Sequence, residues 1–336
     1  MPSSAMTTRE RFQAVMNFQP FDRLPMIEWA GWWMATIDRW ISEGLPAHLR
    51  DDGTAIRQWW GLDIYYQDWI RAKGPKCPSP AHHGAGLIAD EKDYERIKPH
   101  LFPWPCVNRD MWQAWAEAQK RGDVVLWFTL EGFFWYARTL LGIEPHLYAF
   151  YDQPSLMHRI NQDLTEWCIR VVDEIFSICV PDFMTFAEDM SYNNGPMLSE
   201  GLFDEFMLPY YHKLLPRIHE RGTISIIDSD GDISVPAYWF ERAGLQGILP
   251  LERQAGVDIA RLRRDHPRMR FIGHYDKMVM NKGEAAIRGE FERLLPTARQ
   301  GGFLVSCDHQ TPPGVSLKDY EIYVRLFREY AIRAAT

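Results

Sequence analysis

Eight short runs of β-branched and aromatic residues alternate along the chain with amphipathic helical patterns, and this alternation limits what the chain can fold into. The predicted strands cover residues 24–29, 62–69, 124–128, 183–187, 223–227, 247–249, 270–272 and 303–305. Eight strands fit a closed barrel better than an open sheet, and no glycine-rich phosphate-binding motif follows the first strand. We therefore predict an α/β fold with one (β/α)8 TIM barrel, a single domain over residues 1–336.

Helical patterns lie between these runs. The predicted helices cover residues 33–43, 111–121, 154–178, 202–221, 236–243, 258–264, 284–300 and 317–332. A short capped helix at residues 7–12 forms an N-terminal extension before the first strand. The stretch 77–105 is rich in proline and histidine and fits neither the helical nor the strand period, so we predict a lid or a loop excursion there.

Composition excludes several classes of protein. With 336 residues, 46% of them hydrophobic, the chain can build one large core. The net charge of −8 comes from interspersed acidic and basic residues, which argues against nucleic-acid binding. The most apolar region, residues 124–143, is interrupted by charges and glycines and is a poor membrane span. No signal peptide is evident, and the five cysteines contain no CxxC pair, so we expect a cytoplasmic protein without disulfides.

Reactive polar residues follow the last five predicted strands, at the edge where barrel enzymes have their active sites. These residues are Glu188, Asp189, Asp228, Asp230, Glu252, His274, Cys307, Asp308 and His309. Side chains arranged around the strand ends in such a ring can together bind a divalent cation. Alternatively, one carboxyl group whose pKa is raised can act as a general acid. For any single carboxylate, capping of the next helix is the alternative, and Asp182 and Asp258 are candidates for that role.

The sequence Asp228-Ser-Asp230-Gly231 is the most specific element of this ring. Two carboxylates two residues apart at a strand exit can point into the same site if the strand alternation breaks at the turn. The glycine permits the tight backbone path that this requires.

Seven of the fourteen tryptophans fall within the first seventy residues, among them Trp29 and Trp32. Core packing explains such a cluster, because aromatic residues dominate protein cores. The alternative is an aromatic lining for a flat or apolar substrate.

Short motifs spread over nearly the whole chain resemble the uroporphyrinogen decarboxylase (URO-D) superfamily. They are TTRER at residues 7–11, PFDRLP at 20–25, EDM at 188–190, GILPLE at 247–252, GHYDK at 273–277 and CDH at 307–309. The resemblance implies a (β/α)8 barrel with one of two activities. One is cofactor-free decarboxylation of uroporphyrinogen, and the other is zinc-dependent methyl transfer that involves a corrinoid protein.

This sequence departs from both patterns. True decarboxylases carry an arginine-rich motif after the first strand, whereas residues 28–34 here begin with Glu28 and contain no arginine. The methyltransferases bind zinc through His-x-Cys at the end of the fifth strand and a cysteine near the last strand. Here those places hold Asp228-x-Asp230 and then Cys307, Asp308 or His309. Oxygen-rich ligands favour a metal that polarises an ether, hydroxyl or carboxylate oxygen, and we expect zinc first, with manganese or magnesium as alternatives.

We predict a metal-dependent, methyltransferase-like enzyme that removes a methyl group from a small O- or N-methyl compound and passes it to a corrinoid (cobalamin) protein. The predicted metal ligands are Asp228, Asp230, Cys307 and His309. The predicted catalytic groups are Glu188, Asp189, Glu252 and His274, and the predicted substrate contacts are Glu28, Trp29, Trp32 and Arg138. The metal would stabilise the oxyanion that remains when the methyl group departs.

Two alternatives stay open. The chain could be a decarboxylase for a small carboxylate, which Arg138 would anchor. It could also be a corrinoid- or small-molecule-binding module without catalysis, although an unused cluster of like charges would cost stability. Members of the superfamily are often dimers, so the resemblance also allows a homodimer.

Overall fold

The computed structural model describes residues 5–336 and has an α/β fold. Its strands are β1 (Ile64–Trp69), β2 (Val124–Glu131), β3 (Phe183–Ala187), β4 (Ser191–Tyr192), β5 (Gly195–Pro196), β6 (Ile224–Asp228), β7 (Gly247–Leu249), β8 (Arg270–Tyr275) and β9 (Phe303–Cys307). Seven strands belong to one sheet in the order β1-β2-β3-β6-β7-β8-β9, and β4 and β5 form an antiparallel hairpin.

The helices lie between the strands along the chain. They are α1 (Thr8–Met16), α2 (Met34–Ser42), α3 (Gly53–Trp60), α4 (Glu91–Ile97), α5 (Arg109–Lys120), α6 (Phe133–Leu141), α7 (Ile143–Asp152), α8 (Pro154–Phe176), α9 (Glu200–Phe206), α10 (Leu208–His219), α11 (Pro236–Arg242), α12 (Ile259–Asp265), α13 (Glu284–Ala298) and α14 (Leu317–Arg333). Among residues 5–336, no helix is both long and apolar enough to span a membrane.

The chain divides into two compact units. The terminal unit comprises Met1–Tyr66, Ala118–Val125 and Ile248–Thr336, and the central unit comprises Gln67–Glu117 and Leu126–Gly247. Each unit contains part of the parallel sheet with helices that follow its strands.

Three parallel strands organise the central unit. β2 pairs with β3, and β3 pairs with β6. The register places Glu131, Ala187 and Asp228 level with one another at the carboxyl ends of the strands. β2 and β3 are buried along their whole length, as expected for parallel strands that helices cover on both faces. The polar residues after β3 and β6 therefore leave the sheet at the same height.

β8 and β9 form a parallel pair in the terminal unit, with Tyr275 opposite Cys307 at their carboxyl ends. Helices α13 and α14 bring together a stack of aromatic rings, in which Phe291 lies 5.5 Å from Tyr323 and 5.3 Å from Tyr330 between ring centroids. Aromatic pairs at such distances stabilise a core beyond their buried area.

Seven of the eight predicted strands are confirmed, and the prediction of a strand at residues 24–29 is wrong. Pro25 has no amide hydrogen, and the Met26 amide donates to the Asp63 carboxylate rather than to a neighbouring strand. The Leu24 amide donates to Ala331 in the last helix. The segment is thus held by a side chain and a helix, and the structure gives a seven-stranded parallel sheet.

The predicted helices are present, with three differences. The single helix predicted at residues 202–221 is broken into α9 and α10 at Met207, just before Pro209, which cannot donate a helical hydrogen bond. The excursion at 77–105 contains the short helix α4. The prediction also lacked α3, α6 and α7. α6 is dominated by aromatic and aliphatic residues, and a short apolar run alone does not distinguish a helix from a strand.

Candidate functional site

Three carboxylates of the central unit meet where β3 and β6 end. One oxygen from each of Asp189, Asp228 and Asp230 lies within 4.8 Å of the others, and all three residues are partly exposed. The amides of Glu188 and Asp189 both donate to the carbonyl oxygen of Asp228, at 2.8 and 3.3 Å. The turn after β3 therefore lies on the last residue of β6, which brings the side chains together.

The glycine of the Asp228-Ser-Asp230-Gly231 sequence has the backbone geometry that the motif requires. Gly231 has φ +83°, and a Cβ atom there would lie 2.7 Å from the backbone of Tyr192. The amide of Asp232 donates to the Tyr192 carbonyl at 2.9 Å. The β4–β5 hairpin, which directly follows Asp189, thus packs against the loop after β6 so closely that only glycine fits.

Like charges and burial act together on Asp228. Burial raises its pKa well above the usual value for aspartate, and the nearby carboxylates of Asp189 and Asp230 raise it further. A bound cation would relieve this repulsion. Three carboxylates form an all-oxygen donor set, which suits magnesium or manganese and which zinc also accepts. The residues therefore fit a divalent metal ion.

Glu188, a predicted catalytic group, is fully buried and has donors on both oxygens. Its Oε1 accepts from the Phe133 amide at 3.1 Å and the Tyr211 hydroxyl at 2.6 Å. Its Oε2 accepts from the amides of Phe134 and Trp135 at 3.1 and 3.3 Å. Burial raises the pKa of Glu188 to about 8, against the lowering effect of these four hydrogen bonds. The carboxyl group thus caps the first turn of α6.

Arg138, a predicted substrate contact, lies near the three carboxylates. It is one turn beyond the capped start of α6, and its Nη1 lies 3.4 Å from the carbonyl oxygen of Asp189. The guanidinium group stacks over the Trp135 ring at 5.1 Å. The site therefore combines the Arg138 cation with the carboxylates. Glu188 and Trp135 hold the segment of α6 that carries Arg138.

The other predicted metal ligands, Cys307 and His309, belong to the terminal unit. The Cys307 side chain is fully buried, and burial raises the pKa of its thiol well above the usual value. His309 packs edge-on against Trp29, with ring centroids 6.2 Å apart. Trp29 donates through Nε1 to the Cys307 carbonyl at 2.8 Å.

Two more predicted substrate contacts are buried in the terminal unit. Glu28 accepts hydrogen bonds from the Ser306 hydroxyl at 3.1 Å, the Cys307 amide at 3.2 Å and the Tyr323 hydroxyl. Burial raises the pKa of Glu28. The Trp32 ring lies 6.0 Å from both the Trp40 and Tyr320 rings, so it is part of an aromatic core cluster.

His274 is fully buried, with φ +68°, and both of its ring nitrogens have partners. Nδ1 lies 2.8 Å from the Leu251 carbonyl, and Nε2 lies 3.1 Å from Arg293 Nη1. Because a carbonyl only accepts and a guanidinium only donates, the ring proton is on Nδ1. Burial and the Arg293 charge lower the pKa of His274 to about 4, so the ring is neutral at physiological pH.

Glu252, the last predicted catalytic group, faces a lysine that the sequence analysis did not single out. Lys277 Nζ lies 3.9 Å from Glu252, 3.2 Å from the buried Asp308 and 2.6 Å from Gln254. The sequence feature that could have identified Lys277 is its position at the end of the GHYDK motif, just after β8.

The sequence analysis also missed the β4–β5 hairpin, although Asn193-Asn194-Gly195 is a typical turn sequence.

The parallel sheet and the polar strand ends define an α/β protein with a carboxylate-rich candidate site. The chain belongs to the uroporphyrinogen decarboxylase family, because the uroporphyrinogen decarboxylase (URO-D) family matches residues 116–330. No sequence among curated proteins matches the chain significantly.

A solved structure with a TM-score above 0.5 supports the same fold. A methyltransferase from Methanosarcina mazei is similar over 97% of this chain and 99% of its own, with 14% identity and a TM-score of 0.66. Endo-glycoceramidase II from Rhodococcus sp. is more distant, with 12% identity, a TM-score of 0.41 and coverage of 95% of this chain and 81% of its own. A fungal β-1,4-galactanase has 10% identity and a TM-score of 0.44, over 88% of this chain and 98% of its own.

Proposed function

We propose that this protein is a cytoplasmic, metal-dependent methyltransferase-like enzyme of the uroporphyrinogen decarboxylase family. It removes a methyl group from a small O- or N-methyl compound and transfers it to a corrinoid carried by a partner protein. Family membership and the likeness to the Methanosarcina methyltransferase fold support this class. Closure of the parallel sheet into a barrel, and zinc as the first choice of metal, remain parts of the proposal.

The observation that carries the proposal is the convergence of Asp189, Asp228 and Asp230 within 4.8 Å at the carboxyl ends of β3 and β6. Carboxylates at this distance repel one another, and a divalent cation bound between them would relieve that repulsion. Asp189, which the sequence suggested as a catalytic group, joins Asp228 and Asp230 as a metal ligand. Cys307 and His309 remain predicted ligands.

When bound, the metal supplies Lewis-acid stabilisation of the charge left on the substrate heteroatom as the methyl group departs. The protein residues do the rest. The Asp230 amide fixes the orientation of the Asp189 carboxylate through a 3.2 Å hydrogen bond. Glu188 holds the first turn of α6, and this helix positions the Arg138 cation beside Asp189. Arg138 would orient an anionic group of the substrate.

An assay of methyl transfer from a panel of O- and N-methyl donors to free cob(I)alamin tests the proposal. The change in absorbance of the cobalamin measures the rate. We expect Asp230→Asn to lower the rate by about 100-fold, because a neutral amide replaces an anionic carboxylate ligand. Asp232→Asn is the matched control, since Asp232 lies in the same loop but outside the group of three carboxylates. A rate that is unchanged in Asp230→Asn would contradict the proposal.

Arg138 favours one second candidate, a decarboxylase for a small carboxylate. Its guanidinium group is the cation that such a substrate would need, and it lies next to the carboxylate cluster. Release of carbon dioxide from a panel of small acids without added metal, lost in Arg138→Gln, would support this alternative. Release that Arg138→Gln leaves unchanged would exclude Arg138 as the anchor.

A further inference from the structure

A second concave site lies in the central unit, along α7. Its volume is about 380 Å³, within the range of small-molecule sites. One wall comes from α7, and the other comes from the segment that joins β5 to the start of α9. We call it the α7 groove.

The α7 wall presents an acidic and aromatic stripe. Glu144, Tyr148 and Tyr151 all line the groove and are spaced four and three residues apart, which places them on one helix face. Tyr148 and Tyr151 are 60% and 71% exposed, an unusual degree for large rings. Their π faces are therefore open to a ligand.

The opposite wall is apolar. It consists of Pro196, Met197, Leu198, Ser199 and Leu202. The Ser199 hydroxyl oxygen accepts from the Leu202 amide at 3.3 Å and so caps α9. Glu144 is thus the single charged residue among those that line the groove.

The charges around the groove select the sign of the ligand. The Glu144 carboxylate is negative, and the last turn of α7 contains no basic residue to offset the partial negative charge of its carbonyl groups. Tyrosine rings attract cations over their faces. We propose that the α7 groove binds a small organic cation with an apolar body, such as an alkylated ammonium compound.

This site is separate from the three carboxylates. The β4–β5 hairpin carries Tyr192, which contacts the loop after β6, and Pro196, which lines the groove. A ligand in the groove would therefore contact the hairpin at Pro196, and none of the three carboxylates lines the groove. The proposal does not depend on the proposed methyl transfer.

Titration calorimetry with choline and with 3,3-dimethylbutan-1-ol tests the inference. The alcohol has the shape of choline without its charge, so a site that selects cations should bind choline at least about five-fold more tightly. We expect Glu144→Gln and the double variant Tyr148→Ala/Tyr151→Ala each to weaken choline binding by about five-fold or more. These residues are on the surface, and circular dichroism confirms that the variants are folded.

Two controls separate this site from other sources of binding. Glu321→Gln, an exposed glutamate in α14, should leave choline binding unchanged. Asp230→Asn should also leave it unchanged, because the carboxylate cluster does not line the groove. Equal binding of choline and the alcohol, no binding of either, or loss of choline binding in Asp230→Asn but not in Glu144→Gln would overturn the inference.

Discussion

The backbone amide of Asp230 donates a 3.2 Å hydrogen bond to Oδ1 of Asp189, which ties the loop after β6 to the turn after β3 at the carboxylate itself. Charge-assisted bonds of this kind fix a side chain more firmly than neutral ones. The arrangement of the three carboxylates is therefore set by the backbone, and changes to the loop should alter it.

Gly231→Ala tests that dependence. The new Cβ would lie 2.7 Å from the Tyr192 backbone, and φ is +83°, so we expect a loss of about 1–3 kcal/mol in the free energy of unfolding and weaker metal binding. Urea denaturation and metal titration measure both effects. Gly201→Ala is the matched control, because its nearest neighbour would be Ser199 Oγ at 3.9 Å. Equal stability of the two variants would show that the close approach is not maintained.

Glu188 should make the protein less stable as pH rises. Its pKa is raised to about 8 in the folded state from the usual glutamate value of 4.5, so between these values the folded state holds a proton that the unfolded state has lost. Its contribution is fully present below pH 4.5 and is lost as pH rises through about 8, with a slope of up to about 1.4 kcal/mol per pH unit.

The measurement is the free energy of unfolding between pH 5 and 9. Glu188→Gln, which cannot titrate, should remove this slope, whereas Glu205→Gln, an exposed glutamate in α9, should keep it. A wild-type slope that persists in Glu188→Gln would show that a group other than Glu188 causes it and would contradict the raised pKa of Glu188.

His274 should remain neutral, with its proton on Nδ1, across physiological pH. Its pKa is lowered to about 4, so its contribution to stability is present above pH 6.5 and is lost as pH falls through about 4. Nitrogen-15 NMR of the imidazole should show no titration between pH 6 and 8. Arg293→Gln should raise the pKa, because it removes a nearby positive charge. A wild-type midpoint near pH 6.5 would contradict this account.

The sequence predicted the parallel strands and the polar residues that follow them, because strand periodicity and strand ends leave a local signal. It did not exclude a strand at residues 24–29. No strand forms there because the Asp63 carboxylate accepts the hydrogen bond of the Met26 amide, although the two residues are 37 positions apart in the sequence. Such long-range competition for one donor has no sequence period.

The candidate site shows the same division. The closeness of Asp228 and Asp230 follows from their spacing, and Gly231 indicated the tight turn. Asp189 could be assigned to the same group only once the β3–β6 register was known. Glu188 and His274 looked equally reactive in the sequence, yet hydrogen bonds from α6 and from Arg293 occupy them. Which polar residue faces a site and which caps a helix depends on these tertiary contacts.

Metal content tests the central claim most directly. Untagged wild-type protein, Asp230→Ala and the control Asp232→Asn are purified, loaded with zinc or manganese, and assayed by inductively coupled plasma mass spectrometry. We expect about one divalent ion per chain in the wild type and in Asp232→Asn, and a loss in Asp230→Ala, because one of the three carboxylate ligands is removed. No metal in any sample after loading, or equal metal in all three, would contradict a metal centre at Asp189, Asp228 and Asp230.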